Sequence, residues 1–496
     1  MMPAFNMAYN IVPPLGPAYI AGALRAEGVD VTFLDAVGLS IEQYTTVEHG
    51  ILHGLTLEQL VAKIPEDADM IGVAIQFSYE WPTARDLLKL IRARFPEVLL
   101  IAGGEHATAV PELCLHDSPL DAVVLGEGEE SVCELARAYK KEGIEGLKQV
   151  AGLHLKDGPT AHGERIREID KIPRPAWDLI PIEEYLSRRY GFGVDRGRSM
   201  PVLASRGCPY QCTFCSNPFM WTTRWIARDI DDLLNELATL QKTYDISNFD
   251  FYDLTVIVKR QWIVDFCRAI ESRGMKFTWQ LPSGTRSEAI DPEVSGLLYK
   301  TGCRNISYAP ESGSEESLTK IKKKVSMPMM LRSMRGAVLS GLNTKANFIF
   351  GFPHENWSHI RADVWLMVKM AVVGVHDISI WTFVPYPGSE LFFQLKKEGK
   401  IKELDDEYFY GLAAYSDITK THSFAPALSK TGMLWARGIA ILFFYAVSWT
   451  IRPWRLLRMI WNFASGHFES RSEQALRGLF DRGYKWLSKP TLATKA

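Results

Sequence analysis

Three cysteines fall within eight residues: Cys208, Cys212 and Cys215, in the run Cys-Pro-Tyr-Gln-Cys-Thr-Phe-Cys. Thiolates are soft ligands that take zinc, copper(I) or iron–sulfur clusters. A structural zinc site asks for a fourth Cys or His at short spacing, and the next histidine is His354, far downstream. Three thiolates suit three irons of a four-iron cluster whose fourth iron stays open to an exogenous ligand. Chance clustering in a loop and structural zinc are the competing readings. The other four of the seven cysteines, Cys114, Cys133, Cys267 and Cys303, are scattered inside apolar patterns and read as core residues. So few thiols, odd in number, make no disulfide framework and point to a reducing, cytoplasmic compartment.

A chain of 496 residues exceeds one hydrophobic core, so two or three domains are expected. Its 56 Lys+Arg against 58 Asp+Glu, with 47% hydrophobic residues, exclude both a disordered tail protein and one that blankets nucleic acid. The run Lys-Ile-Lys-Lys-Lys at 320–324 is read as a solvated helix face, since no aromatic residues interleave it. From Val29 to about Lys141, apolar runs (VTFLD, MIGVAIQ, VLLIAGG, AVVLGEG) alternate with helical patterns, the mark of a parallel sheet covered on both faces. Ligands bind at the carboxyl ends of such strands, here Gln76, Gly103, Gly104, Glu105 and His106, then Gly126, Glu127 and Gly128. A Pro-rich stretch (Pro173, Pro175, Pro181) reads as an extended linker. Six further strand candidates follow: PVLAS, NFDFYD, KFTWQL, RNISYA, KANFIF and DISIWTF. They read as a partial α/β barrel whose chemistry sits at the strands' carboxyl ends, and the cysteines come just after the first. The fold class is therefore α/β, a doubly wound Rossmann-like parallel sheet plus a partial (β/α)6 TIM-like barrel with a helical C-terminal region. The expected divisions are 1–145, a linker at 146–195, the barrel at 196–400 and helices at 401–496.

The Cys-x-x-x-Cys-x-aromatic-Cys spacing after a first barrel strand, preceded by Ser205-Arg206-Gly207, resembles the signature of radical S-adenosylmethionine (radical SAM) enzymes. The resemblance implies that Cys208, Cys212 and Cys215 hold a 4Fe-4S cluster. Its open iron chelates S-adenosylmethionine, which is cleaved reductively to a 5'-deoxyadenosyl radical, with a reduced flavodoxin or ferredoxin as electron donor. It also implies cofactor contacts at Phe214, Asp253 (in Tyr252-Asp253), Arg286, Glu311 (in PESGS) and Gly351 (in FGFP). The N-terminal sheet, through PPLGPAYIAGAL, VTFLDA, LIAGGEHAT and VVLGEGEESV, resembles the cobalamin-binding domain of one branch of that superfamily. No histidine follows an Asp by two residues, so no Asp-x-His-x-x-Gly axial ligand is supplied, as expected for this branch. The branch normally begins with an apolar strand ending in Asn-Pro-Pro, whereas this chain begins MMPAFNMAYN, so either the start is truncated or the sheet lacks its first strand. His106 reads as a backbone-contacting loop residue or a metal ligand.

The uncharged stretch Gly438 to Ile451, flanked by Arg437, Arg452, Arg455 and Arg458, falls short of a membrane span at 14 residues. It reads as a helix packed on the barrel or, through 437–461, as a peripheral membrane contact or a surface for a greasy substrate. The Trp- and Arg-rich tail resembles that of the anaerobic magnesium-protoporphyrin monomethyl ester cyclases. Together these imply an enzyme acting on an unactivated carbon of a hydrophobic small molecule (lipid, terpenoid or tetrapyrrole) by C-methylation. An oxidative cyclase and a non-catalytic cluster/cobalamin sensor are the alternatives, and no nucleic-acid partner is expected.

Overall fold

The computed structural model describes residues 11–417, 422–474 and 477. Helix α1 (Leu15–Ala26) starts just after Pro13-Pro14 and buries Leu15, Ala18, Tyr19 and Leu24. Strands β1 (Met70–Ala74), β2 (Leu99–Gly103) and β3 (Ala122–Val124) pair in parallel, and β4 (Leu153–Leu155) and β5 (Gly158–Pro159) extend the sheet antiparallel. Strand β2 is apolar along its whole length because it is covered on both faces: Leu100 and Ala102 pack with Trp81 and Leu88, Leu99 and Ile101 with Leu24 and Leu135. Those partners come from α1, α2 (Trp81–Arg94) and α3 (Gly128–Glu142).

Val31–Asp35, expected as a strand, is apolar and joins no ladder among the described residues, where β1 is an edge of the sheet. The segment's side chains still find the core, Val31 on one cluster, Phe33 on the barrel cluster and Leu34 on another. Met1–Asn10, on which the expectation of a missing first strand turns, lies outside the described residues.

The barrel sheet is parallel throughout, in the order β11 (Asp377–Thr382), β10 (Asn343–Phe350), β9 (Cys303–Glu311), β8 (Thr278–Thr285), β7 (Asn248–Phe251), β6 (Ser199–Val202). Alternate side chains separate two environments, as a pleat of period two dictates. Met200, Val202, Phe249, Phe251, Ile306, Ala346 and Phe348 join the core beneath the helices. The alternate set on β7 and β8, Asn248, Asp250 and Gln280, is buried and polar. Two chain segments satisfy that polar set at one end. Gly193 N–H donates to Asp250 (2.8 Å), Val194 N–H to Gln280 (3.0 Å), Arg471 to Gly193 O (2.8 Å), and Asn305 to Glu469 O (3.0 Å). These bonds involve the amino ends of the strands, so the carboxyl ends are left for chemistry.

The proline-rich stretch is no free tether: Ile166, Ile169, Ile172, Trp177, Ile180 and Ile182 belong to the barrel's core cluster. Beyond the barrel, α4 (Trp357–Val373) supports α5 (Lys430–Ile451), which is followed by α6 (Trp454–Ser465). Helix α5 has 22 residues, so by length and composition alone it is long enough to cross a membrane. Only one stripe of it is buried: Met433, Arg437, Ala440, Phe444 and Ser448.

Candidate active site

The cluster loop leaves β6 through Ser205-Arg206, which pair antiparallel with Ile226-Ala227. Gly207 turns with φ +82°, and a Cβ there would lie 2.2 Å from Arg224 O, so the approach requires glycine. Cys208, Cys212 and Cys215 follow, all half-buried. Cys215 N–H donates to Cys212 O (3.1 Å). Asn217 ties the ends of the loop, its N–H reaching Cys215 Sγ (3.4 Å) and its amide Nδ2 reaching Cys208 O (3.2 Å). Thr213 N–H donates to Ile321 O (3.1 Å) and Thr213 O accepts from Leu391 N–H (2.9 Å), so two other barrel loops hold the middle. Burial raises all three thiols above the ordinary range, Cys215 to about 12. Metal binding must therefore displace protons.

Among the described residues, no group of three His, Cys, Asp and Glu side chains is placed to hold one metal ion. Three spaced thiols, one already accepting an N–H bond, fit a multi-iron cluster in which each takes its own iron.

Charged groups from three strand ends converge on the loop. Arg286, after β8, lies 3.6 Å from the Tyr210 ring centroid, between the first two cysteines in sequence. It is buried, and among the described residues its Nε and Nη1 have no acceptor, which leaves two donors free for a ligand oxygen. Glu311 ends β9 at φ +64° and accepts from Lys323 at 2.9 Å, both side chains being buried. Lys323 corrects the reading of 320–324 as a solvated face. Lys322 takes φ +53°, which breaks the helical path and turns the next side chain inward. Burial pulls the Lys323 ammonium down, and Glu311 with Cys212 reverses that and raises it. Gly351, at φ +93°, follows β10; its N–H and that of Phe352 donate to Glu355 (2.8 and 3.2 Å). Phe214 lies 5.5 Å from Phe352, ring to ring.

Asp253 has a different task from the one expected. Its carboxylate is buried and accepts from Ala204 N–H (3.0 Å) and Ser205 O–H (2.6 Å), so it braces the start of the cluster loop. Burial raises it to about 6.

The strand ends of the N-terminal sheet face this loop. Gly104 (φ +108°) would place a Cβ 2.6 Å from Ile75 O. Glu105 hydrogen-bonds Ser216, the residue after Cys215. Gly103 and Gly126 are half-exposed, with nothing closer than 3.6 Å to their Cβ positions, and Gln76 is exposed. Such open backbone suits a broad flat ligand like a corrin. Two expected ligands are committed elsewhere. His106 is buried between Trp81 and Phe409, accepts or donates at Nδ1 with Ser78 (2.9 Å), and is held neutral, its pKa pushed down to about 3 by burial. Glu127 pairs with Arg165 (2.5 Å) and Arg206 (3.1 Å), and Arg206 also takes Glu129 (2.5 Å), so the Gly126–Gly128 turn is bolted to the barrel.

Sequence reasoning missed Lys323, Glu355, Tyr210 and Arg206. Glu355 carried a signal, a carboxylate four residues after a turn glycine. The other three depend on loops meeting in space.

A B12 binding domain model matches residues 4–136 and a radical SAM superfamily model residues 202–364. The chain is 30% identical to an uncharacterized methyltransferase of Pyrococcus horikoshii over 77% of this chain and 78% of that one. It is 28% identical to the anaerobic magnesium-protoporphyrin IX monomethyl ester cyclase of Cereibacter sphaeroides over 78% of this chain and 61% of that one. The radical SAM methyltransferase TsrM of Kitasatospora setae, solved with cobalamin and a [4Fe-4S] cluster, shares the fold at TM-score 0.61 and 17% identity over 88% of this chain and 86% of that one. With its two matched domains set strand end to strand end around one cysteine loop, the chain belongs to the cobalamin-dependent radical SAM enzymes, whose cofactors are a 4Fe-4S cluster, S-adenosylmethionine and cobalamin.

Proposed function

We propose that this enzyme is a C-methyltransferase acting on an unactivated carbon of a hydrophobic small molecule, with Cys208, Cys212 and Cys215 as cluster ligands. One observation carries the reading: Glu105 of the N-terminal sheet hydrogen-bonds Ser216 beside Cys215, so the strand ends of the two domains meet at the cysteine loop. When bound, these groups supply a 5'-deoxyadenosyl radical and a transferable methyl group. The chain's own residues position and shield. Arg286 and Lys323 place positive charge by the thiols, Glu311 and the Gly351 turn line the S-adenosylmethionine side, and Phe214 with Phe352 excludes water.

Incubation with methyl-labelled S-adenosylmethionine under reducing, anaerobic conditions tests the outcome. Label gained by the substrate together with 5'-deoxyadenosine supports methylation. 5'-Deoxyadenosine with an unlabelled, oxidised product supports the cyclase reading, which the likeness to the ester cyclase favours.

The C-terminal hairpin supports a greasy substrate. Trp435 (67% exposed), Leu442 (71%) and Trp461 (71%) line its outer side. From Ile418 to Phe468 there is no Asp or Glu but six Lys and Arg. Arg452 and Arg455 pin the hairpin to carbonyls of Ala371, Val372, Gly374 and Val375 at the end of α4 (2.7–3.0 Å). An exposed, Trp-bearing apolar face of this kind suits the headgroup boundary of a bilayer. We infer a peripheral membrane contact there. Flotation with phosphatidylglycerol liposomes is expected, and full-length protein remaining in the bottom fraction at low salt removes it.

A further inference from the structure

On the flank of the cluster loop lies an open groove lined by Arg167, Pro209, Arg224, Trp225 and Lys259, with Thr222, Thr223 and Val258 between them. Three of the eight lining residues are cations and none is acidic. Arg167, Arg224 and Lys259 are exposed, and among the described residues none of the three forms an ion pair. Cations left unpaired on one concave face, in a chain of net charge −2, form a local field that the whole-chain balance conceals.

The groove is rigidly joined to the cysteine loop. Pro209 is the residue after Cys208, so the groove wall and the first thiol are one peptide apart. The carbonyl of Arg224 packs against Gly207, where any Cβ would meet it at 2.2 Å. Trp225 forms part of the wall and donates its indole N–H to Ser205 Oγ and Thr255 O, both at 3.0 Å, and Lys259 lies over its ring at 5.8 Å. The groove is thus the outer side of the same loop whose inner side faces the barrel.

We propose that this groove is the docking surface for an acidic one-electron donor protein of the flavodoxin or ferredoxin class, seated so that electrons enter at Pro209 beside Cys208. The proposal rests on the assignment of Cys208 as a cluster ligand. One electron passes from the donor, which is oxidised, to the cluster site, which is reduced, and no bond forms or breaks. Electron-transfer encounters are small and transient and rely on complementary charge for rate and orientation. A groove of three free cations around an aromatic and a proline, with no deep apolar pocket, fits that regime and not a permanent interface.

The test uses the full-length holoenzyme and the triple variant R167E/R224E/K259E, none of which touches the thiols through its side chain. With reduced flavodoxin at low salt, S-adenosylmethionine cleavage by the variant is expected to fall about 10-fold or more, a typical scale for lost electrostatic steering. With dithionite, which needs no docking, the two proteins should agree within about twofold. In parallel, titration of holoflavodoxin followed by flavin fluorescence should give binding to the wild type that weakens with salt and binding to the variant that is lost. Equal losses with both reductants, or unchanged flavodoxin binding and rate, overturn the proposal. So does tighter wild-type binding of a fluorescent single-stranded RNA than of flavodoxin, which reassigns the cations to nucleic acid. Dithionite-driven cleavage absent from the wild type refutes the cluster assignment instead, and the fluorescence titration then still decides the docking surface by itself.

Discussion

The barrel and the N-terminal sheet are both parallel, apolar and opened at their strand ends, yet they hold their functional loops by different means. The barrel's cysteine loop is fastened from within its own domain, by Asn217, Asp253, Thr213 and the Lys323–Glu311 pair. The turns of the N-terminal sheet are fastened from outside it, Glu105 to Ser216 and Glu127 and Glu129 to Arg206. Its edge strand β1 pairs on one side only among the described residues, and Val31–Asp35 lies unpaired. The cysteine loop is braced mainly from its own domain, whereas the acidic side chains of the N-terminal turns reach across to the barrel.

The sharpest break in that comparison comes at the cysteines themselves. Cys212→Ala is expected to remove the brown absorption and to lower 5'-deoxyadenosine formation by more than about 100-fold, beyond the 10–100-fold usual for outer-shell partners of a metal. Cys267→Ala and Cys303→Ala, which empty core positions, should keep the iron content and lose only stability. Equal iron in Cys212→Ala and wild type, measured after anaerobic purification, sinks the ligand assignment.

That contrast was largely legible in the sequence. The three cysteines and the six apolar strands are local signals, set by spacing and period, and the sheet order follows from right-handed β/α units. What escaped was non-local. Lys323 sits in a run that reads as solvated, and only the left-handed turn at Lys322 sends it inward. Glu127 reads as a strand-end ligand, and only the approach of Arg165 and Arg206 from the barrel side commits it. Val31–Asp35 has a strand's composition, and among the described residues it joins no ladder.

The dependence of the N-terminal turns on the barrel is tested at Arg206. Arg206→Met leaves Glu127 and Glu129 buried with less compensation, a loss expected at about 3–5 kcal/mol. Urea unfolding should then separate into two transitions, the N-terminal sheet melting first, and cobalamin retention should fall while iron content holds. A single cooperative transition at the wild-type midpoint means the ion pairs do not couple the domains. Gly104→Ala is the milder probe of the same turn. Its positive φ and the 2.6 Å approach to Ile75 O predict a cost of about 1–3 kcal/mol, with corrin affinity reduced and S-adenosylmethionine cleavage by dithionite preserved. Retained corrin at wild-type affinity argues that the ligand sits away from this turn.

The finest distinction is one of sign in pH dependence. In the barrel, burial raises Glu355 to about 7 from an ordinary 4.5, and Asp363 beside it is raised in the same direction. The folded state therefore holds a proton that the unfolded chain releases, and stability falls as pH rises between those two values. In the N-terminal sheet, burial lowers His106 to about 3 from 6.5. There the unfolded chain holds the extra proton, and stability rises with pH across that window. Each titrating group contributes at most about 1.4 kcal/mol per pH unit. Urea midpoints from pH 4 to 7 should flatten on the falling side in E355Q/D363N and on the rising side in His106→Phe. If the double variant keeps the wild-type fall between pH 5 and 7, the Gly351 turn is held by an ionised carboxylate throughout that range.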